Sequence, residues 1–138
     1  MTKTRKTFEE LLAEQKKTRK EPAHREHDIQ SSCVLYFRLQ YPQYRLNLFA
    51  VPNGTYKKAV AQRIFKEEGL LSGVSDLILL LPKGIYHGLL IEMKAEKGKQ
   101  SPTQKQWQQH IEQFGYKYVV CYSLDDFIKE IKMYLNNE

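Results

Sequence analysis

Two acidic residues and a lysine stand beside two short apolar runs, in positions that suit metal-ion chemistry. Asp76 precedes the apolar run 77–81, and Glu92 and Lys94 follow the apolar run 89–91. Each run has the length of a buried strand. A Pro-Lys-Gly segment between the runs predicts a turn, so we expect the two strands to pair as a hairpin.

The alternation of side chains along these strands is expected to bring the three charges together. Glu92 and Lys94 are two residues apart and therefore point to the same face, and an antiparallel partner strand places Asp76 beside Glu92. Charges at the end of a buried strand are rare unless they are paired or bind a metal. Mg²⁺ suits such a site, because one or two carboxylates usually hold it together with water and substrate phosphate. A structural Glu–Lys ion pair with Asp76 as a turn residue is the alternative, and the three residues together favour the metal site.

A third carboxylate, Glu26, lies near the start of a helix predicted over residues 25–40. The apolar face of that helix has helical spacing and consists of Ile29, Cys33, Tyr36 and Phe37. We expect Glu26 on the same face, pointing inward. An acid at a helix N-terminus is favoured by the macrodipole alone, whereas an acid on an apolar face favours a second explanation, in which Glu26 reaches the metal.

The remaining patterns predict an α/β fold with a mixed sheet flanked by helices. A capping box at Thr7 predicts a helix over 8–17, and Ser101-Pro102-x-Gln104 starts another helix that is expected to place Trp107 and Ile111 in the core. A strand is predicted over 46–51, and alternating side chains predict another over 116–122. A short helix is predicted over 56–68, and a last helix begins after Ser123.

Composition and charge indicate one globular domain with a basic surface. The chain has 138 residues, 41% of them hydrophobic, and a formal net charge of +6, which favours an anionic partner such as nucleic acid. No apolar run is long enough to cross a membrane and no signal-peptide pattern is present, so we expect a cytoplasmic protein with no membrane partner. Cys33 and Cys121 are too few for a disulfide framework or a zinc site.

Basic residues near the expected metal site are candidates for contacts with a nucleic-acid backbone. They lie on the short helix and in the loop after Lys94, and are Lys57, Lys58, Arg63, Lys97 and Lys99. For any one of the three helical residues, a solvated surface is the simpler explanation. The basic segment 1–24 is predicted to be a partly helical arm. It is either a frayed tail or an arm that contacts phosphate or embraces a second subunit.

Six short motifs occur in order along nearly the whole chain outside this arm. They are Glu26-x-x-Ile29-Gln30, Pro52-Asn53-Gly54, Gly73-Val74-Ser75-Asp76-Leu77, Ile91-Glu92-Met93-Lys94, Ser101-Pro102-x-Gln104 and Gly115-Tyr116. Glu-x-Lys alone is common, but the ordered series is specific. It resembles the virus-type replication-repair nuclease (VRR-NUC) domain family of the PD-(D/E)xK superfamily. The resemblance covers about residues 25–127, and we assign the nuclease-type domain to 25–138.

The resemblance implies a role for each residue at the strand ends. Asp76 and Glu92 match the metal-binding carboxylates of the family, and the carbonyl of Met93 matches its main-chain metal ligand. Lys94 matches the catalytic lysine. The implied cofactor is Mg²⁺, for which Mn²⁺ is expected to substitute.

Two further residues match supporting positions, and one departs from the family pattern. Glu26 matches an additional acid on the first core helix, and Gln104 matches a glutamine that supports the site. Ser75 stands where many members have proline before the aspartate. Proline there shapes only the backbone, so the departure leaves the chemistry intact.

The resemblance also implies a substrate and an assembly. The expected activity is metal-dependent hydrolysis of DNA phosphodiester bonds. Because stand-alone viral members look like dimeric junction resolvases, we expect a homodimer that cuts four-way junctions. The expected location is the cytoplasm of a bacterial cell, for either a bacterial or a phage protein. The alternatives are a nucleic-acid-binding module without catalysis, which the intact Asp76, Glu92 and Lys94 argue against, and a flap-cutting or restriction-type nuclease.

Overall fold

The secondary structure consists of five helices and four short strands in the described part of the chain. A computed structural model describes residues 5–17, 25–52 and 58–137. Its helices are α1 (Phe8–Lys17), α2 (Arg25–Gln40), α3 (Ala59–Glu67), α4 (Pro102–Glu112) and α5 (Leu124–Leu135), with a 3₁₀ turn at Pro42–Tyr44. Its strands are β1 (Leu48–Ala50), β2 (Leu77–Leu79), β3 (Leu89–Met93) and β4 (Lys117–Cys121).

The strands form one mixed sheet in the order β1-β2-β3-β4. β1 pairs antiparallel with β2, and β2 pairs antiparallel with β3, which confirms the predicted hairpin. β4 runs parallel to β3. A parallel neighbour needs a crossover connection, and α4 provides it. The α/β class with a mixed sheet flanked by helices is therefore confirmed.

One face of the sheet is largely apolar and carries the core, with Lys117 at its margin, where Nζ lies 5.8 Å from the centre of the Tyr86 ring. Alternate strand residues contribute Leu77, Leu79, Leu89, Ile91, Met93, Val119 and Cys121. Helices α2 and α5 cover this face with Cys33, Phe37, Phe127, Ile131 and Tyr134. Burial of a side chain of leucine or isoleucine size stabilises the fold by about 1.5–3 kcal/mol relative to exposure. Both cysteines are unpaired and buried here, and burial raises the pKa of Cys121 to about 12, so its thiol stays protonated.

The opposite face of the sheet is the face on which the charged residues lie. Because β2 and β3 pair with Leu77 opposite Ile91, the residues that alternate with the core set point away from α2 and α5. This face includes Glu92 and Tyr118, which are both buried, and α4 contacts β4. The pleat of the sheet thus separates the apolar core from the candidate site.

Each predicted helix and strand is present, whereas the bounds of the strands differ from the predicted ones. Helices α1 and α2 have the predicted bounds. Strand β1 is shorter than the predicted strand 46–51, because only Leu48–Ala50 pair with β2. Leu46 lies outside the strand and is 92% exposed. The predicted 56–68 helix is described from Ala59, since residues 53–57 lie outside the described part.

The burial of Trp107 and Ile111 on α4 differs from the expected burial. Trp107 and Ile111 are only half-buried, so their assignment to the core is wrong. Helix α4 has no buried residue, because it lies on the polar face of the sheet.

Within the described ranges 5–17, 25–52 and 58–137, no helix is long and apolar enough to cross a membrane.

Candidate active site

The β2–β3 hairpin fixes Asp76 at the end of the sheet. Antiparallel pairing puts Leu77 opposite Ile91, so Asp76 lies one step further along, beside Glu92. The Met93 amide donates a hydrogen bond of 2.8 Å to Asp76 Oδ2. This bond orients the carboxylate of Asp76 across the strand ends, and the side chain remains partly accessible to solvent.

Glu92 is the most buried ionisable carboxylate of the site, with 1% of the residue exposed. Gln104 Nε2 donates a hydrogen bond of 2.8 Å to Glu92 Oε1, and the Tyr118 hydroxyl donates one of 3.2 Å to Oε2. Lys94 Nζ lies 3.8 Å from Oε1, as the alternation along the strand predicts. Each carboxylate oxygen therefore has a polar partner, which is what a buried charge requires.

The environment of Glu92 nevertheless favours its protonated form. Burial, followed by the nearby charge of Asp76, raises the pKa of Glu92 to about 8, against the opposing effects of Lys94 and the Tyr118 hydroxyl. Two carboxylates that face one another at a buried strand end repel. A cation placed between them would relieve both the repulsion and the cost of burial, so the donor set favours cation binding.

Helix α4 begins at a cap that also positions Gln104. Ser101 Oγ accepts a hydrogen bond from the Gln104 amide at 3.2 Å, and Gln104 Oε1 accepts one from the Ser101 amide at 2.8 Å. This capping box fixes the side chain of Gln104 so that its Nε2 reaches Glu92. The preceding loop approaches closely at Gly73, where φ is +89° and a Cβ would lie 2.6 Å from the Thr103 carbonyl oxygen. Glycine is therefore needed at position 73.

Glu26 reaches the end of β3 from α2, on the core side of the sheet, with an exposed side chain where a buried one was expected. Its side chain is exposed, so the expectation that it points inward with the apolar stripe of α2 is wrong. Its Oε1 accepts a hydrogen bond of 3.3 Å from the amide of Ala95, which follows Lys94. The first turn of α2 thus places this carboxylate at the end of β3, and its role toward a metal stays a prediction.

Four of the basic residues predicted to contact nucleic acid lie on the surface of the protein. Lys58, Arg63, Lys97 and Lys99 are exposed, and Arg63 pairs with Glu67 at 3.9 Å on α3. Lys57 lies outside the described residues. Lys97 adopts a positive φ of 65° in the loop that leaves β3, so this loop has a tight local turn. Contact of these residues with nucleic acid stays a prediction.

Tyr118 is a site residue that the sequence did not single out. It lies on β4, and its hydroxyl accepts a hydrogen bond of 3.2 Å from Gln100 Nε2, which also donates to Gln108 Oε1 at 2.9 Å. Burial, followed by the charge of Glu92, raises the pKa of Tyr118, so the hydroxyl keeps its proton. The alternation of β4 was a usable signal for its face, but only the pairing of β4 with β3 brings it to Glu92.

Asp76 and Glu92 offer the carboxylate oxygens that magnesium accepts as ligands. No group of three His, Cys, Asp or Glu side chains suited to a metal occurs among the described residues. Zinc sites usually need three or four such ligands, whereas magnesium is commonly held by one or two carboxylates and keeps several waters. Asp76 and Glu92 meet that smaller requirement.

Comparison with known proteins places the chain in a family. The sequence-family model of the VRR-NUC domain matches residues 12–125 of this chain. A solved structure described as a VRR_NUC domain protein is 25% identical, with a TM-score of 0.73, and the match covers 85% of this chain and 93% of that one. No curated protein matches.

The mixed sheet, its helices and the structural match define an α/β core of the PD-(D/E)xK type. The chain belongs to the VRR-NUC domain family. This is a nuclease-type family, so the substrate is nucleic acid.

Proposed function

We propose that this protein is a magnesium-dependent endonuclease that cuts branched DNA. Asp76, Glu92 and Lys94 form its catalytic centre. The observation that carries the proposal is the meeting of these three side chains at the ends of paired strands, where burial and Asp76 raise the pKa of Glu92. Strongly perturbed carboxylates at a strand end are typical of functional sites.

Asp76, Glu92 and the carbonyl of Met93 would hold the metal, with Glu26 as an additional acid. When bound, Mg²⁺ supplies a positive charge for the phosphoryl oxygens and lowers the pKa of a water molecule. Mn²⁺ has the same charge and accepts the same oxygen ligands, so it should substitute. The proton held by Glu92 must leave for the carboxylate to serve as a ligand.

Lys94 supplies a fixed positive charge beside the scissile phosphate. Its side chain is 13% exposed and lies 3.8 Å from Glu92 Oε1, so little water screens it. The ammonium would orient the attacking water or stabilise the charge that develops on the phosphoryl group. Gln104 and Tyr118 act on Glu92, which they hold through one oxygen each, and Gln104 thereby supports the site.

The net charge of +6 supports DNA as the substrate. Lys97 and Lys99 follow the catalytic strand, Lys58 and Arg63 lie at the start of α3 and on it, and Lys57 precedes them in the sequence. These side chains would contact phosphates and position the DNA without reading its sequence.

A homodimer would match the symmetry of a four-way junction. One domain with one metal site makes one cut, and a junction is resolved by two cuts on symmetric strands. A two-fold dimer presents two equivalent sites at a fixed spacing. The basic segment 1–24 is a candidate for the contact between subunits or with the DNA arms.

The proposal is tested by incubating purified protein with linear, flapped and four-way-junction DNA, with Mg²⁺ or with a chelator. We expect cleavage of the junction that requires the metal and is abolished in Asp76→Ala. Glu112→Ala is the matched control, because Glu112 is an exposed acid at the end of α4.

Cleavage by Asp76→Ala at the wild-type rate would show that the site assignment is wrong. If the protein cut flaps and left the junction intact, its substrate would be a flap and not a four-way junction. Binding without cleavage of any substrate in Mg²⁺ or Mn²⁺ would favour the non-catalytic module.

A further inference from the structure

A cleft of about 380 Å³ lies between the loop before β2 and helix α4. Its lining combines apolar and polar side chains from both segments: Leu71, Ser72, Thr103, Gln106, Trp107 and His110. The cleft is large enough for part of a small organic ligand.

The cleft neighbours a second cavity that is lined by Gln104 of the candidate active site. This cavity has a volume of about 210 Å³, shares Leu71 and Ser72 with the cleft and extends to Lys66 and Gln104. Gln104 donates the hydrogen bond to Glu92 Oε1. A ligand that runs from the cleft into the second cavity therefore contacts Gln104, the side chain that bonds the buried carboxylate of Glu92.

Aromatic side chains lie along α4, from the cleft to just beyond the end of the helix. Trp107 and His110 are three residues apart on α4 and so share a helix face, and Phe114 follows just beyond the end of the helix. The rings of His110 and Phe114 are 5.1 Å apart, and Phe114 is 57% exposed. Trp107 meets Tyr118 edge-on at 6.1 Å, which places the indole next to the side chain that donates to Glu92.

We propose that this cleft binds an unpaired nucleobase of the DNA substrate, packed on Trp107, next to the phosphate that is cut. The proposal rests on the proposed function and names the DNA feature that the site recognises. Aromatic rings that stack on bases, together with positive charge along the backbone path, form the usual site for single-stranded nucleic acid.

The polar groups of the lining also suit a base. Gln106 and His110 offer hydrogen-bond donors and acceptors for a base edge, and Leu71, which is 56% exposed, offers an apolar surface for the opposite face. Lys66 beside the second cavity suits the phosphate of the same strand. A paired base has both faces stacked in the duplex, so only an unpaired nucleotide enters.

The single tryptophan of the chain permits a direct test. Intrinsic fluorescence of Trp107 is followed while the full-length protein is titrated, in a chelator, with an eight-nucleotide oligothymidylate. An oligomer of equal length and charge made of abasic sites is the control ligand. We expect saturable quenching by oligothymidylate and none by the abasic oligomer. Equal quenching by the two, or quenching by neither, would overturn the proposal.

Variants separate the cleft from the rest of the surface. Affinity is measured by anisotropy of the labelled oligothymidylate. Trp107→Ala should weaken binding about 5- to 150-fold, the range for loss of one stacked base. Because Trp107 also contacts Tyr118, Leu71→Gln provides a milder change at an exposed position, and Leu46→Gln is the matched control outside the cleft. Equal affinities of Leu71→Gln and Leu46→Gln would count against the cleft.

The outcomes also distinguish this proposal from the proposed function, because binding is measured without metal. Base-specific quenching in a protein that cuts no DNA would support the cleft and reject the nuclease proposal. Metal-dependent cleavage without base-specific quenching would reject the cleft alone.

Discussion

Replacement of Glu92 by glutamine should remove a pH-dependent loss of stability from the metal-free protein. The pKa of Glu92 is about 8 in the folded chain against an ordinary value of 4.5. Between these values the folded state keeps a proton that the unfolded state has released. The free energy of unfolding therefore falls as pH rises, by up to about 1.4 kcal/mol per pH unit. From pH 5 to pH 7.5 this group alone accounts for a loss of about 3 kcal/mol.

Glutamine keeps the size of the side chain and cannot ionise. Its amide accepts a hydrogen bond at one oxygen only, so it cannot satisfy both Gln104 and Tyr118 as Glu92 does. That loss is independent of pH. The informative quantity is thus the difference in unfolding free energy between variant and wild type, followed as a function of pH.

The assay is urea unfolding of both proteins in a chelator at pH 5, 6 and 7.5. We expect the difference to shift in favour of Glu92→Gln by about 3 kcal/mol over this range. Glu112→Gln, at an exposed position, serves as the control and should show no such shift. A difference that stays constant with pH for Glu92→Gln would refute the reasoning, because it would mean that Glu92 has an ordinary pKa.

Three other predictions concern the catalytic centre and the assembly. Lys94→Ala should lose cleavage but keep DNA binding in a mobility-shift assay. Binding is kept because only one of 22 basic residues is removed, and cleavage is lost because the lysine charge is used in the transition state. Equal loss of binding and cleavage would indicate that Lys94 is a phosphate anchor. Tyr118→Phe should shift the acidic limb of the pH–rate profile to higher pH, because the hydroxyl lowers the pKa of Glu92; an unchanged profile would count against this coupling. Sedimentation at micromolar protein should show a dimer, and a monomer that nicks junctions singly would contradict the two-fold arrangement.

The site elements with strong local signals were predictable from the sequence. The alternation of β3 placed Glu92 and Lys94 on one face, and the apolar runs with their turn placed Asp76 beside Glu92. The capping box of Ser101 and Gln104 located the start of α4. These features depend on neighbours in sequence, which is why they could be recognised without a structure.

Features that depend on packing between distant segments were not predictable. The hydroxyl of Tyr118 reaches Glu92 only because β4 pairs parallel to β3. Glu26 is exposed rather than inward-facing, because its carboxylate turns to the Ala95 amide. Trp107 lies half-buried at a cleft instead of in the core, because α4 packs on the polar face of the sheet.

Single-turnover cleavage of a labelled four-way junction by wild type and Asp76→Asn tests the central claim most directly. Asparagine keeps an oxygen that can accept from the Met93 amide and removes only the charge, so the fold is retained. With Mg²⁺ in excess we predict that wild type cuts the junction and that the variant is slower by at least about 100-fold, since changes in partners that support a metal already cost 10- to 100-fold. Equal rates for the two proteins would contradict the assignment of metal-dependent chemistry to this carboxylate.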